Sequence, residues 1–249
     1  MTINITIVGF GTMGRAIAKA LSSGSSIKIF TIDIDKKDTS GIKKSDFIIL
    51  SVKPQNAKEA LEQLRDLGLN KKTILISIMA GYSIKKIKQY SGHKKIIRMM
   101  PNLGLSVGEG IAVWKKIGLS RSENKKAKNF IDKITGNFEV KDEDIINKVT
   151  AISGSGPAYF FLLAESMERA STKLGLSKKE SRILVEKTFL SASLLGKNTE
   201  YSTLIKKIAS KGGTTKSALK VFKSKNFDEI VLRAIESAYK RAKQLNNAK

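Results

Sequence analysis

Two short glycine-rich stretches of this sequence could bind anionic groups. The first, "VGFGTMG", spaces Gly9, Gly11 and Gly14 as Gly-x-Gly-x-x-Gly between an apolar run and a helical pattern. That spacing is the fingerprint of a turn that binds the pyrophosphate of a dinucleotide. The second, "SKGGTT" at 210–215, is not the phosphate loop of NTPases, because Thr215 rather than glycine precedes the Lys-Ser pair.

Each glycine of the first stretch has its own physical role. Gly9 permits the tight turn, Gly11 lets a pyrophosphate approach the backbone, and Gly14 lets the helix pack closely on the strand. The diphosphate would face the helix N-terminus, whose free N–H groups and dipole favour anions. The strand–turn–helix context favours cofactor binding over a merely structural turn. The candidate cofactor-binding residues of this turn are Gly9, Phe10, Gly11, Thr12, Met13 and Gly14.

The choice between NADPH and NADH depends on the end of the second apolar run. Asp33 ends that run, at about the distance where a carboxylate binds the adenosine ribose hydroxyls. A carboxylate there favours NADH, because it repels a 2′-phosphate. Lys36 and Lys37 follow, and they either favour NADPH or are solvated loop residues. The sequence therefore predicts NADPH or NADH without deciding between them.

The first half of the chain alternates β-branched apolar runs with amphipathic helical patterns, which predicts an α/β Rossmann-type domain with a parallel sheet and helices on both faces. The segment between the second and third runs is too short for a crossover helix, so we expect a trimmed loop there. The expected strands are "INITIVGF", "IKIFTID", "DFIILSV", "KTILISI" and "KKIIRMM", with further short strands near "GIAVWK" and "NFEV".

From about residue 144 the strand runs cease and only helical patterns remain. We therefore predict two domains, a dinucleotide-binding domain over 1–150 and an all-α domain over 151–249. The expected helices of the second part span 157–174, 178–196, 201–209, 214–223 and 227–245.

The composition excludes several classes of function. The net charge is +24, but lysine supplies most of the 46 basic residues and is scattered over all polar faces, so we expect a solvated surface and no nucleic-acid partner. The absence of cysteine and the single histidine exclude thiolate and histidine-rich metal sites. Because no apolar run approaches ~20 residues and a strand pattern begins almost at once, we expect a cytoplasmic protein without a membrane helix or signal peptide.

Four further motifs, together with the 210–215 turn, resemble in their order along the chain the pyrroline-5-carboxylate reductase family. The resemblance spans essentially the whole chain and implies reduction of 1-pyrroline-5-carboxylate to L-proline, the last step of proline synthesis. It also implies a helical domain that interlocks with a second subunit, in a homodimer or higher homo-oligomer whose active site lies at the subunit interface. The motifs are "SVKPQ" (51–55), "SIMAG" (77–81), "RMMPNLGLSVGEG" (98–110), "TAISGSGPAYFF" (150–161) and "SKGGTT" (210–215).

The resemblance also implies roles for single residues. Residues near the nicotinamide half of the cofactor would be Val52, Lys53, Pro54, the backbone around Ala80, and the Met100-Pro101-Asn102 segment. The turn from Ser210 to Thr215 would hold the substrate carboxylate, with Thr215 facing the imine nitrogen. This chain departs from the family at Lys211, which replaces a proline, and at Asn147-Lys148, which replaces an acidic-small pair.

The residue types of the 210–215 turn suit this chemistry. Gly212 and Gly213 expose backbone N–H groups, while Ser210 and Thr214 add hydroxyl groups to bind a carboxylate. Thr215 can hydrogen-bond the ring nitrogen and is the candidate catalytic residue. The same hydroxyls could instead cap the following helix, and the two roles are compatible.

Two other functions share the N-terminal fingerprint. The alternative enzyme is a β-hydroxyacid-type dehydrogenase or another imine reductase with this cofactor fold. β-Hydroxyacid dehydrogenases place a catalytic lysine on the first helix of their second domain. Here that helix has no lysine before Lys173, which argues against it. A nucleotide-sensing binding module would not need the Gly-Gly-Thr-Thr turn.

Overall fold

The computed structural model describes residues 2–22, 26–33 and 39–247. They form two compact units, the first from residues up to 155 together with those from 237 onward, and the second from residues 156–236. The last helix of the chain therefore contributes to both units. The division into a dinucleotide-binding domain over 1–150 and a helical domain over 151–249 stays a prediction.

A seven-stranded sheet organises the first unit, with the strand order β2-β1-β3-β4-β5-β6-β7. All neighbouring strands are parallel except β5 and β6, which are antiparallel. The connection between those two strands, residues 102–110, is too short for the crossover that parallel strands need. The strands are β1 Ile3–Val8, β2 Ile27–Ile32, β3 Phe47–Leu50, β4 Ile74–Ser77, β5 Ile96–Pro101, β6 Ile111–Ile117 and β7 Gly136–Glu139.

Helices cover both faces of this sheet, which confirms the predicted α/β class. On β3, the side chains of Phe47 and Ile49 join a core with α1 and α4, while Ile48 and Leu50 join a second core with α2 and α3. Burial on both faces explains why the strand sequences are apolar without alternation. The helices of this part are α1 Thr12–Leu21, α2 Ala57–Asp66, α3 Ile84–Ser91, α4 Arg121–Ile131 and α5 Asp144–Val149.

The connection between β2 and β3 lies partly outside the described residues. Its described portion, from residue 39, contains only the 3-10 turn Ile42–Lys44. This part of the connection agrees with the expected trimmed loop. Residues 34–38, which include Lys36, are outside the description.

The second unit is helical, as the sequence predicts. Ser177 begins α7 with a capping box, since its hydroxyl accepts the Glu180 N–H while the Glu180 carboxylate accepts the Ser177 N–H. Between α5 and α6 the chain makes one π-helical turn, Thr150–Gly154. The helices are α6 Gly156–Lys173, α7 Lys178–Leu195, α8 Tyr201–Ile208, α9 Thr214–Ser224 and α10 Phe227–Asn247.

Candidate active site

The carboxyl ends of β1, β3, β4 and β5 meet at one edge of the sheet because these strands are parallel. Strand β1 lies between β2 and β3, so the connection after β1 runs toward one side of the sheet and the connection after β3 runs toward the other. Such a switch point opens the crevice where doubly wound folds bind their ligands. The Gly9–Gly14 turn follows β1 at this point.

Gly9 occupies a backbone conformation that favours glycine, with φ at 89°. A Cβ atom on it would lie 2.8 Å from Val52 Cγ1 and 2.8 Å from the Val52 nitrogen, at the end of β3. The Gly9 N–H donates to the Ile32 carbonyl, 2.8 Å away, at the end of β2. The turn is therefore fixed between the ends of both strands that flank β1.

Gly14 and Gly11 differ in what surrounds them. A Cβ on Gly14 would lie 2.5 Å from the Gly9 carbonyl oxygen and 2.8 Å from Ser51 Oγ, whereas a Cβ on Gly11 would have no described atom within 4 Å. The Ser51 hydroxyl itself donates to the Gly9 carbonyl. The turn is packed on its inner side and open at Gly11, as the approach of a diphosphate requires.

The N-terminus of α1 leaves its amide groups accessible. Among the described residues, no side chain caps it from the N-cap residue Gly11, and its first turn contains no acidic residue. Thr12 is exposed, while Phe10 and Met13 pack on the core. The Arg15 Nε donates to the Phe10 carbonyl over 2.9 Å. The residues of this turn thus fit an anionic cofactor group.

Asp33 directly follows β2 and is half-buried. The carbonyl of its neighbour Ile32 accepts the Gly9 N–H, so Asp33 lies at the same edge as the glycine turn. This position suits contact with a ribose of a cofactor bound at Gly11.

The residues expected at the other half of the cofactor follow β3, β4 and β5. Val52 is half-buried and Lys53 exposed, and Pro54 begins a 3-10 turn. Ala80 is half-buried in the connection after β4. These residues therefore lie at the edge of the sheet that carries the glycine turn.

Asn102 has a structural role that the sequence did not reveal. Its side-chain oxygen accepts the Ile111 N–H over 3.1 Å, and its own N–H donates to the Ile111 carbonyl over 3.1 Å. Its carbonyl accepts the Leu105 N–H over 3.3 Å. Asn102 thus closes the loop between β5 and β6.

The 210–215 turn belongs to the second unit. Gly212 has φ at 76°, and the Gly213 N–H donates to the Ser210 carbonyl over 3.1 Å. Thr214 and Thr215 are the first residues of α9, with Thr214 exposed and Thr215 half-buried. Gly213 is the N-cap residue, and no side-chain cap of α9 occurs among the described residues. The expected capping by these hydroxyls is therefore wrong, because a glycine occupies the capping position.

A buried arginine was missed by sequence reasoning. Arg98 lies in β5 with 2% of its surface exposed, and it is paired with Glu143 and Asn147. Its signal in the sequence was a charge within the apolar run "KKIIRMM". The partners, 45 and 49 residues away, had no pattern that linked them to it.

Two further features of the described residues bear on function. None of the helices in this part of the chain is both long and apolar enough to cross a membrane. No group of three or more histidine or acidic side chains in the same part is placed to hold a metal ion.

Two protein families match parts of this chain. The family described as pyrroline-5-carboxylate reductase dimerisation matches residues 143–245, and the coenzyme F420-dependent NADP oxidoreductase family matches residues 28–81. Pyrroline-5-carboxylate reductase of Aquifex aeolicus is 32% identical over an alignment of 265 positions, which covers 98% of each sequence.

Solved structures show the same similarity. A pyrroline carboxylate reductase from Plasmodium falciparum with NADP bound has a TM-score of 0.89 and 28% identity, with 98% of each chain covered. A pyrroline-5-carboxylate reductase from Coxiella burnetii has a TM-score of 0.84 and 31% identity, with 98% of this chain and 99% of that chain covered.

Substitution by alanine should have different effects at Gly14, which is tightly packed, and at Gly11, which is open. Gly14→Ala should lower the free energy of unfolding by about 1–3 kcal/mol, because its Cβ overpacks the turn. Gly11→Ala should change it by no more than about 1 kcal/mol but weaken NADH binding about tenfold or more, because the methyl group blocks the pyrophosphate. Urea denaturation and calorimetric titration measure the two quantities. Unchanged NADH affinity of Gly11→Ala would contradict the assigned role.

Proposed function

Because this chain belongs to the pyrroline-5-carboxylate reductase family, we propose that it reduces 1-pyrroline-5-carboxylate to L-proline with NAD(P)H. This makes it an oxidoreductase that acts on a C=N bond in the last step of proline biosynthesis. The observation that carries the proposal is that this chain, which aligns over nearly its whole length with such a reductase, combines two turns. One is a glycine turn that is open at Gly11, and the other is a Gly-Gly-Thr-Thr turn at the start of a helix without a side-chain cap.

The first unit is proposed to bind the cofactor. Gly11 and the free amides of α1 would hold the pyrophosphate, and Asp33 would contact the adenosine ribose. Residues after β3, β4 and β5 would border the nicotinamide, namely Val52, Lys53, Pro54, Ala80 and Asn102. NAD(P)H supplies the hydride when bound, so the protein's task is to fix geometry and charge. Lys36 remains a predicted cofactor residue.

The 210–215 turn is proposed to bind the substrate carboxylate. The amides of Gly212 and Gly213, together with the hydroxyls of Ser210 and Thr214, are donors of the kind that a carboxylate needs. The uncapped first turn of α9 adds amides and its positive dipole end. The Thr215 hydroxyl would bond the ring nitrogen and orient the C=N bond toward the cofactor.

The oligomeric state belongs to the same proposal. The dimerisation family matches residues 143–245, which supports a homo-oligomer. Large apolar side chains of α6 are exposed, including Phe160, Phe161 and Leu162, and a subunit contact would bury them. We propose that the active site lies between the cofactor loops of one subunit and the 210–215 turn of another. In this proposal, residues 1–150 are the cofactor-binding domain and residues 151–249 are the substrate-binding and dimerisation domain. A cytoplasmic location stays a prediction.

Turnover tests the function directly. Purified protein with 1-pyrroline-5-carboxylate as sole substrate should oxidise NADH or NADPH and form proline. The oxidation is measured as the loss of absorbance of the reduced nicotinamide. Folded oligomeric protein that oxidises neither cofactor would refute the proposal.

Thr215 can be tested by removing only its hydroxyl. Thr215→Val should lower kcat about 10- to 100-fold, because one hydrogen bond to a charged or reacting group is worth about 1.5–3 kcal/mol. The affinity for NADH should stay within about twofold. Thr203→Val, at an exposed position of α8, is the matched control and should keep full turnover. Equal kcat values for the two variants would exclude the role of Thr215.

Asp33 can be tested through cofactor preference. Asp33→Ser should raise kcat/KM for NADPH relative to NADH by about tenfold, because it removes a charge that repels the 2′-phosphate. Asp66→Ser, which removes an exposed carboxylate at the end of α2, is the control for the change in net charge. A ratio that changes equally in both variants would show that Asp33 does not contact the ribose.

A further inference from the structure

Arg98 is a charge placed in the core beside the candidate site. It lies in β5 with 2% of its surface exposed, between Ile97 and Met99, which are fully buried. Burial lowers the pKa of Arg98, and the hydrogen bond and charge of Glu143 oppose that effect. Because an unpaired charge in such a place is strongly destabilising, Arg98 depends on its partners.

The two partners, Glu143 and Asn147, both belong to the segment that forms the start of α5. The Arg98 Nη1 donates to Glu143 Oε1 over 2.8 Å, and Nη2 donates to Asn147 Oδ1 over 2.7 Å. The Asn147 amide nitrogen donates to Asp144 over 3.2 Å, and the Tyr239 hydroxyl donates to the other oxygen of Asp144 over 2.7 Å. An amide at 147 can thus accept from a cation and donate to a carboxylate, which an aspartate there could not do.

The same Glu143 oxygen also holds the connection after β4. Glu143 Oε1 accepts the N–H of Ile84, the first residue of α3, over 2.8 Å. Ile84 directly follows the connection formed by residues 78–83, which contains Ala80. The position of that connection therefore depends on the carboxylate that Arg98 orients.

Arg98 also precedes the loop after β5. Three residues separate it from Asn102, which closes that loop through Ile111. Met100, between them, faces the π-helical turn, since a Cβ on Gly154 would lie 3.7 Å from Met100 Sδ. The ion pair thus links the start of α3, directly after residues 78–83, to β5, which leads into residues 102–110. We call these two stretches, 78–83 and 102–110, the distal loops.

The distal loops lie on one side of the switch point. The strand order places Asp33, after β2, on the opposite side of β1 from the ends of β4 and β5. The Gly9 turn has its own contacts with Ile32, Ser51 and Val52. A cofactor whose adenosine lies toward β2 therefore extends its nicotinamide toward the distal loops.

We propose that Arg98, through its ion pair with Glu143, is a positioning residue that holds the distal loops against the nicotinamide half of the cofactor. The inference rests on the proposed function, because it takes the site to be one for NAD(P)H. It predicts that loss of the pair affects recognition of the nicotinamide half and leaves recognition of the ADP half intact.

The test compares a whole cofactor with a fragment. Calorimetric titration of Arg98→Met and Glu143→Gln with NADH and with ADP-ribose should show NADH affinity lowered about tenfold and ADP-ribose affinity within about twofold of the native protein. Steady-state assays should show a lower kcat as well as a higher KM for NADH. Arg98→Lys should recover part of the NADH affinity, because it keeps the charge beside Glu143.

The Lys95–Glu123 ion pair provides the matched control. Lys95 directly precedes β5, at the opposite end of the strand from Asn102, and its hydrogen bond to the Glu123 carboxylate is the main cause that lowers the pKa of Glu123 to about 2. Lys95→Met should lower stability but leave both affinities within about twofold. This separates loss of stability from loss of positioning.

The outcomes are distinct. Equal weakening of NADH and ADP-ribose in the Arg98 or Glu143 variants, or no weakening of either, would overturn the inference. If Arg98→Met does not fold, the affinity ratio of Glu143→Gln decides. Native protein that binds both ligands but does not reduce pyrroline-5-carboxylate would refute the proposed function, while the affinity ratio would still judge the inference.

Discussion

The contact between the glycine turn and the end of β3 is the constraint on which the candidate cofactor site depends. Val52 and Ser51 lie so close to Gly9 and Gly14 that no side chain fits between them. This contact brings the N-terminus of α1 to the carboxyl edge of the sheet and leaves Gly11 open. A cofactor diphosphate and the α1 amides can then meet without an intervening side chain.

The sheet extends this arrangement from one loop to the whole edge. Parallel strands place the connections after β1, β3, β4 and β5 side by side, and cores on both faces keep the strands rigid. The buried Arg98 is the exception to this apolar interior. Its cost is offset by Glu143 and Asn147, and through them the connections after β4 and β5 share one support.

The second unit meets a different demand. The 210–215 turn presents backbone amides and hydroxyls, as an anionic substrate needs, and its N-cap glycine leaves them unused by α9. The exposed apolar side chains of α6 are suited to a homo-oligomer. A protonated imine accepts a hydride readily, so in the proposed reaction binding and orientation would be the main tasks left to these residues.

The sequence by itself determined the elements and the class of the fold. Strands buried on both faces are continuous apolar runs, and the helices follow amphipathic patterns, so local patterns were sufficient for both. The spacing of Gly9, Gly11 and Gly14 also identified the turn, because each glycine answers a local steric need. Only the tertiary structure decided that β6 runs antiparallel to β5, that Asn102 closes the following loop, and that Gly213 leaves α9 uncapped. It alone paired Arg98 with Glu143 and Asn147, since their contact depends on packing between segments far apart in sequence, which no local periodicity records.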